Sequence, residues 1–186
     1  GGCSISGTKI CVSHAASAKR ILLSAQTGEE LIVVLVDPHA AGITLRPQTV
    51  TSGEILHELV LDGVQVPDED IVARGGKALE AMQWAQQATR TALCAMTVGI
   101  SDKMMRMTGS YTTEREQFGR PVATFQAVSH RAADCYIDVE CLRLVTQQAA
   151  SLIDQGRPAE EAVLIAKIWC GDTAHRVSQA SQHCHG

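Results

Sequence analysis

Two long stretches of apolar residues at three- and four-residue spacing most restrict what this chain can fold into. The first runs from Lys77 to about Glu114, and the second from Thr124 or Gln126 to Asp154. Apolar residues at that spacing lie on one face of an α-helix, so each stretch predicts one long helix that is buried along one side. Long helices with apolar seams pack side by side, which predicts an up-down bundle.

Glycine, proline and threonine mark where these helices end and where a third begins. Thr124 is expected to cap the second helix, and Gly156 to terminate it. Pro158 is expected to start the third helix, which continues to the end of the chain. Gly99 and Gly109, inside the first helix, are expected to let neighbouring helices approach closely.

The first part of the chain has a different pattern, because short β-favouring runs alternate there with turn residues. Gly75 and Gly76 separate this part from the helices, so we expect two domains, 1–74 and 75–186. The predicted class is α+β, with a small antiparallel sheet or barrel followed by a helical bundle. The expected strands are Thr8–Val12, Ile21–Ala25, Leu31–Val36, Ile43–Leu45 and His57–Leu61.

Charge and hydropathy exclude two classes of partner. Residues 1–74 hold 5 Lys and Arg against 9 Asp and Glu, and residues 75–186 hold 11 against 11, without a basic stripe. Nucleic acid is therefore not an expected partner. The longest aliphatic run, Leu31–Val36, is far shorter than the roughly 20 residues that cross a bilayer, so no membrane association is expected.

Seven cysteines are scattered without a C-x-x-C pair, which is typical of reduced thiols in a cytoplasmic protein, or in the mitochondrial matrix in a eukaryote. His183, Cys184 and His185 are consecutive on a predicted helix, so their side chains point in different directions. We therefore expect no metal site there.

The stretch from Tyr111 to Gln126 interrupts the two long helices and concentrates unlike side chains. Arg115 offers a planar fork of donors that suits a phosphate or pyrophosphate, while Phe118 and Gly119 turn the chain behind it. Gln126 adds an amide at the start of the next helix. From the residues alone, a solvated surface charge is the commoner role of an Arg beside a helix break.

The run R-E-Q-F-G-R-P, followed by Phe125 and Gln126, resembles the R-x-Q-F-G-x-P-(x)-F-Q signature of the acyl-CoA dehydrogenase family. The resemblance implies that Arg115, Phe118 and Gln126 bind the pyrophosphate and adenosine half of FAD, much of it belonging to a neighbouring subunit. It also implies a homo- or hetero-oligomer with FAD near the subunit interface.

Other segments extend the resemblance. Residues 6–13 are similar to the family's G-x-K-x-W-I-T strand beside the flavin, with Cys11 at the Trp position and Ser13 at the Thr position. The last residues resemble the start of a Q-x-x-G-G-x-G segment that also approaches FAD. There His183 or Gln182 takes the Gln position and Gly186 is the first Gly.

The family resemblance implies an FAD-dependent desaturation of acyl-CoA, with electrons passed to an electron-transfer flavoprotein. Arg90 matches a family Arg beside the acyl-CoA. The residue before it, where some members place the catalytic Glu, is Thr89, so no catalytic residue is assigned. Fatty, branched-chain and steroid thioesters all remain open as substrates.

The chain resembles only the middle domain and three helices of the four-helix C-terminal bundle. We therefore expect a fragment that is inactive by itself. The alternative is a non-catalytic subunit that contributes FAD-binding residues to a heteromeric enzyme.

Overall fold

In the computed structural model, which describes residues 2–186, the chain divides into two compact units. One ends at Trp84, and the other covers Ala85–Gly186. The first unit holds six strands and the second is almost entirely helical, which confirms the predicted α+β class. The first long helix, α1 (Gly75–Glu114), begins in the first unit and continues through the second.

The first unit contains two separate antiparallel sheets of three strands each, in the orders β1-β5-β4 and β2-β3-β6. Ile32, Val34, Leu59 and Val64 form the centre of its core. The sheet alternative of the prediction therefore fits, because no barrel closes among residues 2–84. The strands are β1 (Cys3–Ser13), β2 (Ile21–Thr27), β3 (Glu30–Val36), β4 (Ile43–Gln48), β5 (Leu56–Val66) and β6 (Ile71–Arg74).

Strand β1 is irregular where the sequence predicted a plain strand. Its pairing with β5 shifts between Ile5 and Gly7 and again between Lys9 and Val12. The second shift contains Cys11, whose φ is 56°, and the Cys11 N–H donates to Oε1 of Gln48 at 2.8 Å. A β-bulge changes which residues face the core. In this irregular part of the strand, Cys11 and Ser13 are both exposed.

The second unit is built on three helices in up-down order: the end of α1, α2 (Gln126–Asp154) and α3 (Glu160–His185). A short hairpin with two residues in each strand, β7 (Glu116–Gln117) and β8 (Arg120–Pro121), lies between α1 and α2. Small side chains allow these helices to pack closely, as the scarcity of aromatic residues implies. The buried core positions include Cys94, Val98, Leu142, Ala149, Val163, Ala166 and Cys170.

The predicted C-terminal end of α2 is confirmed, whereas its predicted N-cap residue, Thr124, is wrong. Gly156 has φ 63°, and the Gly156 and Arg157 N–H groups donate to Ile153 O and Leu152 O, as in a Schellman motif. Thr124 lies instead in a 3₁₀ turn, where its hydroxyl donates to Pro121 O at 2.7 Å. The residue before α2 is Phe125, which makes no side-chain cap.

Two further helix predictions are corrected. Helix α3 starts at Glu160 rather than at Pro158, with Ala159 as its N-cap residue. A Cβ atom added to Gly99 or Gly109 would meet nothing within 4 Å in residues 2–186 outside the helix's own backbone, so these glycines do not mark a close contact between helices of this chain.

No helix within residues 2–186 is long and apolar enough to cross a membrane. All seven cysteines are free, and the described residues contain no cluster of His, Cys, Asp and Glu side chains that could hold a metal ion.

Candidate functional site

The hairpin after α1 displays an aromatic side chain at its tip. Gln117 pairs with Arg120, so Phe118 and Gly119 form a two-residue connection. Their φ angles are 56° and 77°, as in a type I′ turn, which suits Gly but is unusual for Phe. The Phe118 side chain is nonetheless 93% exposed, with its ring edge-on to Phe125 at 6.2 Å. Backbone strain beneath an exposed aromatic ring is typical of a binding position.

Arg115 combines a fixed backbone with an unpaired side chain. Its N–H donates to Tyr111 O and its carbonyl accepts from Val122 N–H, both at 2.8 Å. No carboxylate or other partner meets its exposed guanidinium in residues 2–186. A held cation without a counter-charge fits a site for a bound anion.

The last turn of α3 is tied to the other two helices. The rings of His185 and Tyr111 stack with centroids 4.4 Å apart, and Tyr111 Oη donates to His185 O at 3.3 Å. Nδ1 of His185 lies 2.7 Å from Ser181 O, to which it donates. Nη1 of Arg131 on α2 lies 3.2 Å from Nδ1 of His183. These contacts hold the chain terminus beside the hairpin.

A cavity of about 400 Å³ opens where these three segments meet, and we call it the bundle-end cavity. Its lining includes four residues from separate segments that the family resemblance assigns to FAD: Arg115, Phe118, His183 and Gly186. The full lining is Tyr111, Arg115, Gln117, Phe118, Val122, Phe125, Val128, His183, Cys184, His185 and Gly186.

Two of the predicted cofactor residues in the second unit do not line this cavity. Gln126 is exposed at the first position of α2, immediately after Phe125. Gln182 lines a different cavity of about 320 Å³, together with Met104, Met107 and Thr108. Of the two candidates for the family's Gln position, His183 is therefore the one beside Arg115.

The remaining predicted residues lie elsewhere. Cys11 and Ser13 belong to the bulged end of β1 in the first unit. Arg90 is exposed on α1, and in residues 2–186 its side chain has no ion-pair partner. It lies 25 positions before Arg115. At 1.5 Å per helical residue these two positions are about 37 Å apart, so they cannot serve one small group.

Tyr111 and His185 line the bundle-end cavity and Arg131 contacts His183, although none of the three was predicted from the sequence as a site residue. A signal was present in the composition, because the chain has only two Phe and two Tyr. Three of those four rings, Tyr111, Phe118 and Phe125, line the bundle-end cavity.

The side chains around the bundle-end cavity fit part of a dinucleotide. An unpaired guanidinium suits a pyrophosphate, and exposed aromatic rings suit a purine. Imidazole and amide groups nearby can donate to ribose or phosphate oxygens. Arg115, Phe118, His183 and Gln126 are the residues that would hold such a group.

Comparison with known proteins adds an independent finding. Residues 76–186 match the model of the acyl-CoA dehydrogenase C-terminal domain. The whole chain aligns with acyl-CoA dehydrogenase FadE27 of Mycobacterium tuberculosis at 31% identity over 193 residues, which is 51% of that protein. The chain thus spans about half the length of the curated relatives it matches.

Solved structures agree with this similarity. The ChsE4–ChsE5 complex of Mycobacterium tuberculosis superposes with a TM-score of 0.91 at 32% identity, over all of this chain and 50% of that one. A variant of the steroid ACAD Tcur3481–Tcur3483 superposes with a TM-score of 0.87 at 37% identity, over all of this chain and 49% of that one.

Proposed function

The chain belongs to the acyl-CoA dehydrogenase family, and from that membership we propose that it is the middle and C-terminal part of an FAD-dependent enzyme that desaturates acyl-CoA thioesters. The reaction takes a proton from the carbon next to the thioester carbonyl and a hydride from the following carbon. FAD, when bound, supplies the hydride acceptor, and an electron-transfer flavoprotein is the proposed next carrier. The observation that carries the proposal is the meeting of Arg115, Phe118, His183 and Gly186 at one cavity.

The residues at the bundle-end cavity would bind and orient the cofactor. The Arg115 guanidinium would pair with the pyrophosphate, and Phe118 would cover an apolar face of the adenosine half. Gln126, exposed at the start of α2, would donate to or accept from the same half. In the first unit, the Ser13 hydroxyl and the Cys11 thiol would lie against the flavin of the assembled enzyme. As in the rest of the family, we place this cofactor near an interface between subunits.

The substrate side of the enzyme is represented by Arg90. Its guanidinium is the group we assign to binding acyl-CoA, in line with its lack of an ion-pair partner. The neighbouring Thr89 hydroxyl is too weakly basic to take the proton next to a thioester. We therefore propose that this chain alone does not turn over acyl-CoA, and that the base lies elsewhere in the complete enzyme.

We favour steroid side-chain thioesters among the possible substrates. The support is the 37% identity to a structure whose name describes a steroid ACAD. Screening the complete enzyme against fatty, branched-chain and steroid acyl-CoA with an artificial electron acceptor would test this. Faster turnover of a short straight-chain thioester than of every steroid thioester would contradict it.

A second candidate is a non-catalytic subunit of a mixed assembly. Two observations support it: the similarity to one chain of the ChsE4–ChsE5 complex, and the presence of Thr89 where some family members have the catalytic Glu. The two candidates differ in which chain supplies the catalytic base: the complete chain of the first candidate supplies it itself, whereas the second candidate contributes FAD-binding residues to an assembly in which the partner chain supplies it. The proposed setting of either form is the cytoplasm, or the mitochondrial matrix in a eukaryote.

Flavin titration of matched arginine variants tests the proposal. Arg115→Met is expected to weaken FAD binding by about 10- to 100-fold, because a charge-assisted pair to an anion contributes about 1.5–3 kcal/mol. Arg157→Met is the control, since it removes the same charge beyond the opposite end of α2, where the Arg157 guanidinium donates to Oε1 of Gln155. Flavin fluorescence quenching measures both. Equal affinity of Arg115→Met and wild type would reject the assignment.

A further inference from the structure

The contact between Arg131 and His183 fixes which nitrogen of the imidazole can donate a hydrogen bond. Nη1 of Arg131 lies 3.2 Å from Nδ1 of His183. A guanidinium only donates, so Nδ1 must present its lone pair at this distance. In a neutral imidazole the proton then resides on Nε2. The ring therefore keeps one donor, and that donor lies on the side opposite Arg131.

The position of His183 makes its tautomer relevant to the bundle-end cavity. His183 lines that cavity with Arg115, whereas Arg131 does not line it. Arg131 has no carboxylate partner in residues 2–186, so its guanidinium stays available for the imidazole. Its position on α2 joins the last turn of α3 to the neighbouring helix. His183 would otherwise be an exposed ring free to present either nitrogen.

We propose that Arg131 is a positioning residue for His183, which it holds with Nε2–H as the donor offered to an acceptor oxygen of the cofactor. This inference rests on the proposed function for the identity of the cofactor. A glutamine at this position needs no orienting partner, because its amide NH₂ is always a donor. Under this proposal, His183 makes the corresponding hydrogen bond through Nε2–H. A histidine at this position needs a second residue to choose its tautomer.

A double-mutant cycle separates this role from a direct charge effect. Arg131→Met is expected to weaken FAD binding about tenfold, as the loss of one oriented hydrogen bond to a charged group would. Arg131→Lys retains a cationic donor and is expected to stay within about threefold of wild type. In the His183→Gln background, Arg131→Met should change the affinity less than about twofold, because the amide needs no orientation. Flavin fluorescence quenching and melting temperature are measured for each protein.

Two outcomes of the cycle would overturn the positioning role. An equal loss of affinity in both backgrounds would mean that Arg131 acts directly on the cofactor or on the fold. No loss of affinity in either background would mean that it does not act on binding. A similar fall in melting temperature in both backgrounds would identify the fold as the cause.

A measurement without cofactor distinguishes this inference from the proposed function. Long-range ¹H–¹⁵N correlation spectra of ¹⁵N-histidine-labelled protein report the tautomer, with His183→Gln to assign the signal. We expect Nε2–H in wild type and a mixture of tautomers in Arg131→Met. Nδ1–H in wild type, with normal FAD binding, would overturn the positioning role alone. Absence of FAD binding in every variant, with Nε2–H retained, would overturn the proposed function and leave Arg131 as the group that orients His183.

Discussion

At the scale of single residues, the buried thiols of the second unit are protected from chemistry. Burial, and then the neighbouring Cys170, raises the pKa of Cys94 to about 11. Burial likewise raises the pKa of Cys135. The thiolate is the reactive form, so both groups are almost fully protonated and inert near neutral pH. Cys11 differs from them in being exposed.

We therefore predict that iodoacetamide at pH 7.5 modifies Cys11 first and leaves the buried Cys94, Cys135 and Cys170 intact in the folded, flavin-free protein. Peptide mass spectrometry at increasing times measures the order. Labelling in guanidinium chloride is the control, since all seven cysteines should then react at similar rates. Early modification of Cys94 in the native protein would show that the core opens readily.

Gly156 offers a second test at a single position. Its φ of 63° is a left-handed conformation, and a Cβ there would meet nothing within 4 Å. We predict that Gly156→Ala lowers the free energy of unfolding by about 1 kcal/mol through backbone strain alone. Gly171 lies inside α3 and has equally open space. Gly171→Ala should therefore stabilise the protein by about 0.5–1 kcal/mol. Urea unfolding measures both, and destabilisation by both variants would contradict the argument.

The sequence singled out four of the residues that line the bundle-end cavity, but not the contacts that place them. Arg115 and Phe118 lie three positions apart in the short segment between α1 and α2, so local pattern and family resemblance grouped them. Choosing between Gln182 and His183 required the rotation of the last turn of α3. The Tyr111–His185 stack and the Arg131–His183 contact join residues 74 and 52 positions apart. Such contacts depend on how helices slide against each other, which no local pattern records.

At the scale of elements, one carboxylate links α1 to α2. Asp102 accepts from Nε of Arg106 at 2.7 Å on its own helix and from Nη2 of Arg143 on α2 at 3.2 Å. The Arg106 hydrogen bond, together with the charges of Arg106 and Arg143, lowers the pKa of Asp102. A carboxylate with a lowered folded-state pKa stabilises the fold above its unfolded pKa of about 3.9, and the effect disappears as pH falls through the folded value.

We predict that Asp102→Asn destabilises the protein at pH 7 and that the difference from wild type shrinks as the pH falls from about 5 toward 3. Thermal unfolding across that range measures it. Asp154→Asn, at the end of α2, is the control because Asp154 makes no ion pair in residues 2–186. A difference that stays constant with pH would show that Asp102 acts through packing rather than charge.

The presence of helices and strands was easier to predict than the residues at which they begin and end. The three helices follow from long apolar periodicity, and five strands follow from β-favouring runs between turns. Strand β6 was missed because Ile71–Arg74 is short and directly precedes a helix. Of the two predicted starts of α2, Thr124 and Gln126, the second is correct, and Thr124 was misassigned as the N-cap because its hydroxyl bonds within the preceding turn. A threonine hydroxyl near a helix start can either cap a helix N–H or donate to a nearby carbonyl, and the local sequence does not decide between the two.

At the scale of the whole molecule, the second unit leaves apolar surface uncovered. On α3, Leu164, Ile165 and Ile168 are 46%, 41% and 67% exposed at three- and four-residue spacing. Leu93, Met96 and Ile100 form a similar exposed face on α1. Contiguous exposed apolar side chains are typical of a surface that contacts another chain. This agrees with the oligomer that the family resemblance implies.

We predict that Ile168→Lys shifts the protein toward smaller assemblies, because a charge on this face must be desolvated on association. Light scattering after size-exclusion chromatography measures the mass. Gln179→Lys adds the same charge at an exposed polar position of the same helix and should leave the mass unchanged. An unaltered mass for Ile168→Lys would place the subunit contact elsewhere.

The positive φ of Phe118 carries a consequence for how the hairpin can be improved. Asn or Gly is the easier residue at this turn position, so a chain optimised for folding alone would not place Phe there. Replacing Phe118 with Asn is expected to stabilise the turn and to remove the aromatic ring that we propose to cover the adenosine half of FAD. Under that proposal, one side chain lowers stability and raises affinity.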